Sequence, residues 1–418
     1  MLGELKLEEV GPSPRLSFSF GPRLNLLTGD NGLGKTFVLD LAWWALTHNV
    51  DPVPALPRPG RKGWVSASIV TEMGHKLEFS SAVRWDRRMR DSDEDGELLS
   101  VPNSGLTLYA RIDGGFRVWD PMRNSQGRVH YEAGGPKSYD FSHDALWDGL
   151  VEGGQVLCNG LIRDWVYWQL RNSESFERLR KVLAVLSPDA REPLRPGEPT
   201  RMGLTDAREI PTLEMPYGIV PLTHASAGIR RIVGLAYLLV WAWEEHLRAA
   251  ELLGEKTASH IVFLIDEVEA HLHPRWQRLI LPSVLAVVRE LRPDVKVQVI
   301  AVTHAPLVLA SVEPLFDPAQ DALFMFDLVG HEVKVSKADW RPRGDANAWL
   351  TSEVFDLKEP RSKEAEEAIT RARAALKDPH LPIDEVKRIH NDLYRLLKDT
   401  DPFWPRWLAR AEAAGIDP

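Results

Sequence analysis

The sequence predicts an α/β fold, and three observations carry the prediction. Residues 16–28, LSFSFGPRLNLLT, alternate and then run continuously apolar, as a buried strand does before a glycine turn, and the helical stretch KTFVLDLAWWALT follows. Two further apolar runs, at 261–265 and 297–302, end abruptly in polar residues. A long apolar segment at 229–247 reads as a helix buried on most sides.

Read in order, the chain divides into four regions. Residues 1–144 hold the first strand–turn–helix and, between about 64 and 120, short β-type runs (WVSASIV, HKLEFSSAVRW, LTLYARI, FRVW) that predict an antiparallel lobe. One hairpin tip in that lobe is expected at Asp86 to Glu97. Residues 145–209 turn helical in GLIRDWVYWQL and FERLRKVLAVL, then break at PDAREPLRPGEP, and form a helical insertion. Residues 210–340 form a second mixed lobe, and 341–418 a charged helical tail. In the tail, Val386, Ile389, Leu393, Leu396 and Leu397 fall on one helical face.

The chain has 418 residues, 44% of them hydrophobic and 27% charged, which excludes a disordered or collagen-like protein. Its formal net charge of -9 argues against a surface that grips nucleic acid or anionic membrane everywhere. A local basic arm at Arg84, Arg87, Arg88 and Arg90 could still touch DNA phosphates, but the neighbouring run DSDEDGE favours a solvated loop. The single Cys158 excludes an internal disulfide and a cysteine zinc site and fits a reducing, cytoplasmic setting. The start MLGELKLEEVG lacks the basic and apolar segments of a signal peptide, and the apolar run from Ile232 to Trp243 is too short to span a bilayer.

The strongest chemical signal is Gly29-Asp30-Asn31-Gly32-Leu33-Gly34-Lys35-Thr36, a complete GxxxxGK[ST] set placed between a strand and a helix. Glycines let the backbone curl so that its N–H groups face phosphate oxygens at the positive end of the helix. Lys35 would reach the β and γ phosphates of ATP and the Thr36 hydroxyl would ligate Mg2+. A second signal is the apolar strand HIVFLI ending in Asp266 and Glu267. Asp266 would hold the magnesium, directly or through water, and Glu267 would polarise the attacking water. The third strand ends at Thr303-His304. A lone histidine there is usually structural, but its order after the other motifs places it at the γ phosphate. Ser226 and Gly228 open the long helix. Either they cap it in the ordinary way, or the same geometry binds a phosphate.

The order and spacing of these motifs resemble the ABC-type ATPase head shared by SMC, RecF and OLD proteins, a P-loop NTPase architecture. GDNGLGKTFVLDLAWWAL resembles their Walker A segment, SAGIRRIVGLAYLL their signature, IVFLIDE their Walker B and VTH their switch histidine. The run Ile265-Asp-Glu-Val-Glu-Ala-His-Leu-His-Pro-Arg-Trp-Gln277 is similar to the DE-x-E-x-HLHP-x-x-Q run of bacterial OLD-like AAA-family ATPases, many of which belong to anti-phage systems such as Septu.

The resemblance implies an ATPase that forms a homodimer or larger homo-oligomer around ATP, with Ser226 and Gly228 acting on the γ phosphate of the facing subunit. It further implies control of a separately encoded effector such as an HNH nuclease. A RecF-like repair ATPase that binds DNA directly is the alternative. The signature departs from the family pattern at Ala227 and Ile229, and no Q-loop stands out; Gln155 and Gln169 are its weak candidates. The resemblance assigns His271 and His273 a structural or subunit-contact role rather than a metal. The terminal Phe403, Trp404 and Trp407 could either dock a partner or pack onto the tail helix.

Overall fold

The run LSFSFGPRLNLLT divides between two sheets. Its alternating half, in the strand Ser13–Ser19, buries every second residue, whereas its continuous half, Leu24–Gly29, is buried nearly throughout. Alternation suits a sheet with one wet face, and an unbroken apolar run suits a central parallel strand covered on both. A computed structural model describes residues 1–49, 55–71, 74–83, 105–124, 138–188, 193–291, 294–378 and 380–416. The expected tip at Asp86–Glu97 and the arginines of the basic arm lie outside the described residues.

Among the described residues the central sheet has eight strands, in the spatial order Glu332–Lys337, Ala322–Val329, Leu24–Gly29, Lys296–Val302, His260–Ile265, Leu106–Ala110, Phe116–Trp119 and Tyr139–Phe141. The five from Ala322–Val329 to Leu106–Ala110 pair in parallel, and antiparallel strands close both edges. One expectation is corrected here. LTLYA and FRVW belong to this sheet, not to the antiparallel lobe, and LTLYA is buried at every position because it pairs directly with His260–Ile265.

Among the described residues the antiparallel lobe is a four-stranded sheet ordered Ser13–Ser19, Leu2–Val10, Gly63–Val70, Lys76–Val83. The helix Lys35–Thr47 is apolar on nearly every side, and it shares one core with that lobe and with the central strands. Trp43 and Trp44 are fully buried in this core.

Residues 145–209 are not purely helical. The helices Leu161–Leu170 and Glu174–Val185 are preceded by a hairpin, Leu150–Glu152 with Gln155–Cys158. The strand Arg195–Arg201 then joins Glu209–Met215 and Gly218–Pro221 in a three-stranded antiparallel sheet. RPGEPTR reads as a breaker, yet it forms an edge strand, the place in a sheet where proline is tolerated, and its register shifts between Gly197 and Thr200.

The long helix runs from Ala227 to Leu253, capped by the Ser226 side chain and ended by Gly254 in the left-handed region. No helix among the described residues is long and apolar enough to cross a membrane.

The chain forms two compact units, Met1–Gly344 and Asp345–Pro418. The second packs the helices Lys363–Lys377, Ile383–Leu396 and Trp404–Ala413 around its own core. Val386, Ile389, Leu393 and Leu397 are buried there, with Leu396 partly so. Phe403, Trp404 and Trp407 pack into the same core, so this aromatic cluster holds the bundle together and is not an exposed docking patch.

Candidate functional site

The phosphate loop leaves the C-terminal end of Leu24–Gly29, near the middle of the parallel sheet. Gly29 has φ 134°, and a Cβ there would sit 2.2 Å from the Phe326 carbonyl oxygen of the neighbouring strand, so only glycine fits. Gly34, at φ 91°, precedes the helix without a side-chain cap, which leaves the first helical N–H groups free for an anion. Asp30, Asn31, Gly32 and Thr36 are exposed, whereas Leu33 turns into the core and anchors the loop. Lys35 is buried. Its Nζ donates to the carbonyls of Gly29 at 2.9 Å and Asp30 at 2.6 Å. Burial pulls its ammonium down to about 8, opposed by the charges of Asp30, Asp266, Glu267 and Glu269.

Asp266 ends the strand His260–Ile265, and the Thr36 hydroxyl donates to its Oδ2 at 2.9 Å. The carboxylate is 1% exposed, and its Oδ1 is buried with no hydrogen-bond partner. Burial raises its pKa to about 6; the Thr36 bond and Arg231 oppose this, while Glu267 and Asp40 add to it. An orphaned anionic oxygen beside a threonine hydroxyl is what a hard divalent cation would satisfy, so these two side chains fit Mg2+. Among the described residues no group of three or more His, Cys, Asp or Glu side chains is arranged to hold a metal without help from phosphate.

Glu267 follows at φ 44°, a left-handed backbone that a glutamate rarely adopts. Its peptide is held from the long helix. Arg231 Nη2 donates at 3.2 Å to the carbonyls of both Asp266 and Glu267, and Nη1 at 3.3 Å to that of Ile112.

Thr303 and His304 follow the strand Lys296–Val302, which lies between the strands that carry Gly29 and Asp266. The His304 ring is half-buried and hydrogen-bonds the Gly29 backbone. Burial and the nearby Lys35 lower its pKa, against the opposing charges of Glu269 and Glu267. Lys35, Thr36, Asp266, Glu267 and His304, which the sequence singles out, thus lie close together in one chain.

Ser226 and Gly228 do not join them. Ser226 is exposed, its hydroxyl accepts from the Ile229 N–H at 3.4 Å, and no hydrogen bond among the described residues ties it to the phosphate loop. Gly228 is packed under the next turn, where an added Cβ would lie 2.8 Å from the His271 carbonyl oxygen.

Sequence reasoning missed Arg231 and Glu269. Both stand in quoted motifs, but nothing in their spacing tells that one binds carbonyls and the other the strand of His304. Of the Q-loop candidates, Gln169 is occupied structurally, accepting from Trp165 Nε1 and donating to the Gly197 carbonyl, each at 3.0 Å. Gln155 is exposed on the hairpin. His273 caps the short helix Pro274–Gln277 through Nδ1, and His271 takes φ 62°.

A family profile described as "AAA domain, putative AbiEii toxin, Type IV TA system" matches residues 139–310. Among solved structures, the chain is similar to the SMC head domain from Thermotoga maritima, at 14% identity and a TM-score of 0.40, over 81% of this chain and 99% of that one. A second likeness is the Smc head with an extended coiled coil bound to the C-terminal domain of ScpA derived from Pyrococcus furiosus (10%, TM-score 0.38, 81% and 96% covered). A third is the recombination mediator protein RecF with ATP (13%, TM-score 0.36, 81% and 97% covered). These three are loose likenesses. With a complete phosphate loop, a paired-acid strand end beside it and a matching AAA-domain profile over residues 139–310, the chain is an ATPase.

Proposed function

We propose that this protein binds ATP with Mg2+, dimerises around it, and uses hydrolysis to control a separately encoded effector in prokaryotic antiviral defence. The observation that carries the ATPase site is the hydrogen bond from the exposed Thr36 to the buried Asp266 with its orphaned Oδ1, set beside Lys35 and Glu267. Thr36 and Asp266 would hold the magnesium, which when bound offsets negative charge on the β and γ phosphates. Lys35 would exchange its two carbonyl partners for phosphate oxygens, and the loop N–H groups would take others. Glu267 accepts a proton from water as the water oxygen attacks the γ phosphorus. The bond to the β–γ bridging oxygen breaks, and its electron pair leaves with ADP. His304 would stand at the γ phosphate.

The exposed Ser226, capping its own helix and unattached to its own loop, supports a role toward the ATP of a facing subunit. A Glu267→Gln protein should bind ATP and accumulate as a dimer; an unchanged size by light scattering with and without ATP refutes the sandwich. The pathway reading rests on the resemblance of the DE-x-E-x-HLHP run. Co-expression with the product of the neighbouring gene tests it, with an HNH protein expected to co-elute and separate elution counting against effector control.

A further inference from the structure

The turn after the two Walker B acids carries a third carboxylate with no part in the chemistry above. Glu269 is half-buried and reaches across to the next strand end. Its Oε2 accepts from the Thr303 hydroxyl at 2.8 Å, and its Oε1 from the His304 backbone N–H at 2.5 Å. Thr303 Oγ1 in turn accepts from the Ala305 N–H at 3.1 Å. A carboxylate that accepts two such bonds at once fixes both donors, because charge-assisted bonds are short and directional.

The contacts of the turn on its other sides give this clamp meaning. Its first two carbonyls are held by Arg231 of the long helix, and two residues past Glu269 the His271 carbonyl seats against Gly228 at the head of that helix. Its third side meets His304, whose ring bonds the Gly29 backbone beneath Lys35. Glu269 is therefore the side chain by which this turn grips the histidine's backbone, beside the Val268 N–H, which bonds the Val302 carbonyl at 3.2 Å. The Thr303 hydroxyl and the His304 N–H have no other acceptor among the described residues, while the Thr303 N–H is held by the Leu27 carbonyl at 3.0 Å.

We propose that Glu269 is a positioning residue for ATP hydrolysis: it sets His304 against the phosphate loop and makes that setting depend on the turn that carries Glu267. The proposal rests on His304 acting in hydrolysis, as read above. Glu269 does not touch the reacting atoms. It acts through the backbone of a residue that does.

The test is a mutant cycle in the full chain, with steady-state ATPase kinetics and ATP binding measured for each variant. Glu269→Ala removes both acceptors and should lower kcat by about 100-fold, the scale on which small misplacements of a catalytic group act. KM for ATP should stay within about twofold, because the phosphate-loop contacts are untouched. Glu269→Gln can keep the His304 N–H bond through its amide oxygen and should recover most of the rate. Combining Glu269→Ala with His304→Ala should cost no more than about twofold beyond His304→Ala alone, since residues acting as one unit are not additive.

Several results would overturn the proposal. Additive losses in the double variant, or a kcat unchanged by Glu269→Ala, overturn it while leaving the reading of His304 intact. Glu269→Gln as inactive as Glu269→Ala would assign Glu269 to metal or proton chemistry instead. If His304→Ala alone leaves kcat unchanged, the role of His304 falls, and this proposal with it. Should Glu269→Ala not fold, Thr303→Val, which deletes one of the two bonds, takes its place in the cycle with the same expectations at a smaller loss.

Discussion

Replacing Asp266 with asparagine should stabilise the nucleotide-free protein while ending hydrolysis. The folded-state carboxyl is raised from 3.8 to about 6, mainly by burial. Because the folded value lies above the unfolded one, the protonated group favours the fold below 3.8, and that contribution is lost as pH climbs through 6. At pH 7.5 the full difference counts against folding, about 3 kcal/mol.

Asparagine removes this cost at every pH and can keep the Thr36 bond through its amide oxygen. Its NH2 inherits the place of an oxygen that already lacks a partner, so an orphan replaces an orphan. A net gain of about 1–3 kcal/mol follows, read as a rise of about 2–5 °C in the melting of the Met1–Gly344 unit by calorimetry without nucleotide or magnesium. At pH 5 the wild-type carboxyl is largely protonated in the fold, and the advantage should shrink by about half. With Mg-ATP the order should reverse, since ligand binding stabilises only the protein that binds it. A lower melting temperature at pH 7.5, or a gain that does not shrink at pH 5, would refute the reasoning.

Lys35 gives the opposite limb of a pH dependence. Held at about 8, it loses its proton as pH rises through that value, so ATP capture by the free protein, read as kcat/KM, should rise through about 6 with Asp266 and fall above about 8; a flat profile between 7 and 9.5 counts against it. Gly228→Val would press a side chain onto the His271 carbonyl, 2.8 Å from the added Cβ, and should lower kcat by about tenfold or more with ATP binding retained by titration calorimetry. Trp407→Ala empties a fully buried site in the tail core and should cost that unit about 3–5 kcal/mol, seen as an earlier transition with ATP binding preserved.

The legible parts of the sequence were those where a short segment carries its own chemistry. GDNGLGKT needs glycines where the backbone turns, and HIVFLIDE and VIAVTH are buried runs that stop at polar residues, so their strand ends could be placed from the chain alone. The seam between Phe20 and Leu24 was not legible, because an alternating run and a continuous one abut without a long loop. LTLYA carried too few residues to distinguish a central strand from a lobe strand; only its pairing with His260–Ile265 decides it. Arg231 and Glu269 were visible as letters but not as clamps, because each meets a backbone group 35 residues away in the chain. Periodicity reports which face is apolar and says nothing about which carbonyl a guanidinium will meet.

The nucleotide-free site is held under electrostatic conflict, and that conflict decides what ATP can do to it. Lys35 is buried on two carbonyls of its own loop, Asp266 keeps an unpartnered charged oxygen, and Glu267 sits in a left-handed backbone pinned by Arg231. A ligand moves a conformational equilibrium only by its difference in affinity between states. Phosphate supplies such a difference here, since drawing Lys35 away frees the carbonyl of Gly29, the residue that His304 touches. His304 is clamped through Glu269 to the turn that meets Gly228, so a change at the lysine has a bonded route to the head of the long helix. Ser226 caps that helix at its exposed end, so the contact proposed with a facing subunit would lie at the end of the same bonded route. ATP-dependent dimerisation, as proposed above, would then require no large movement of the sheet.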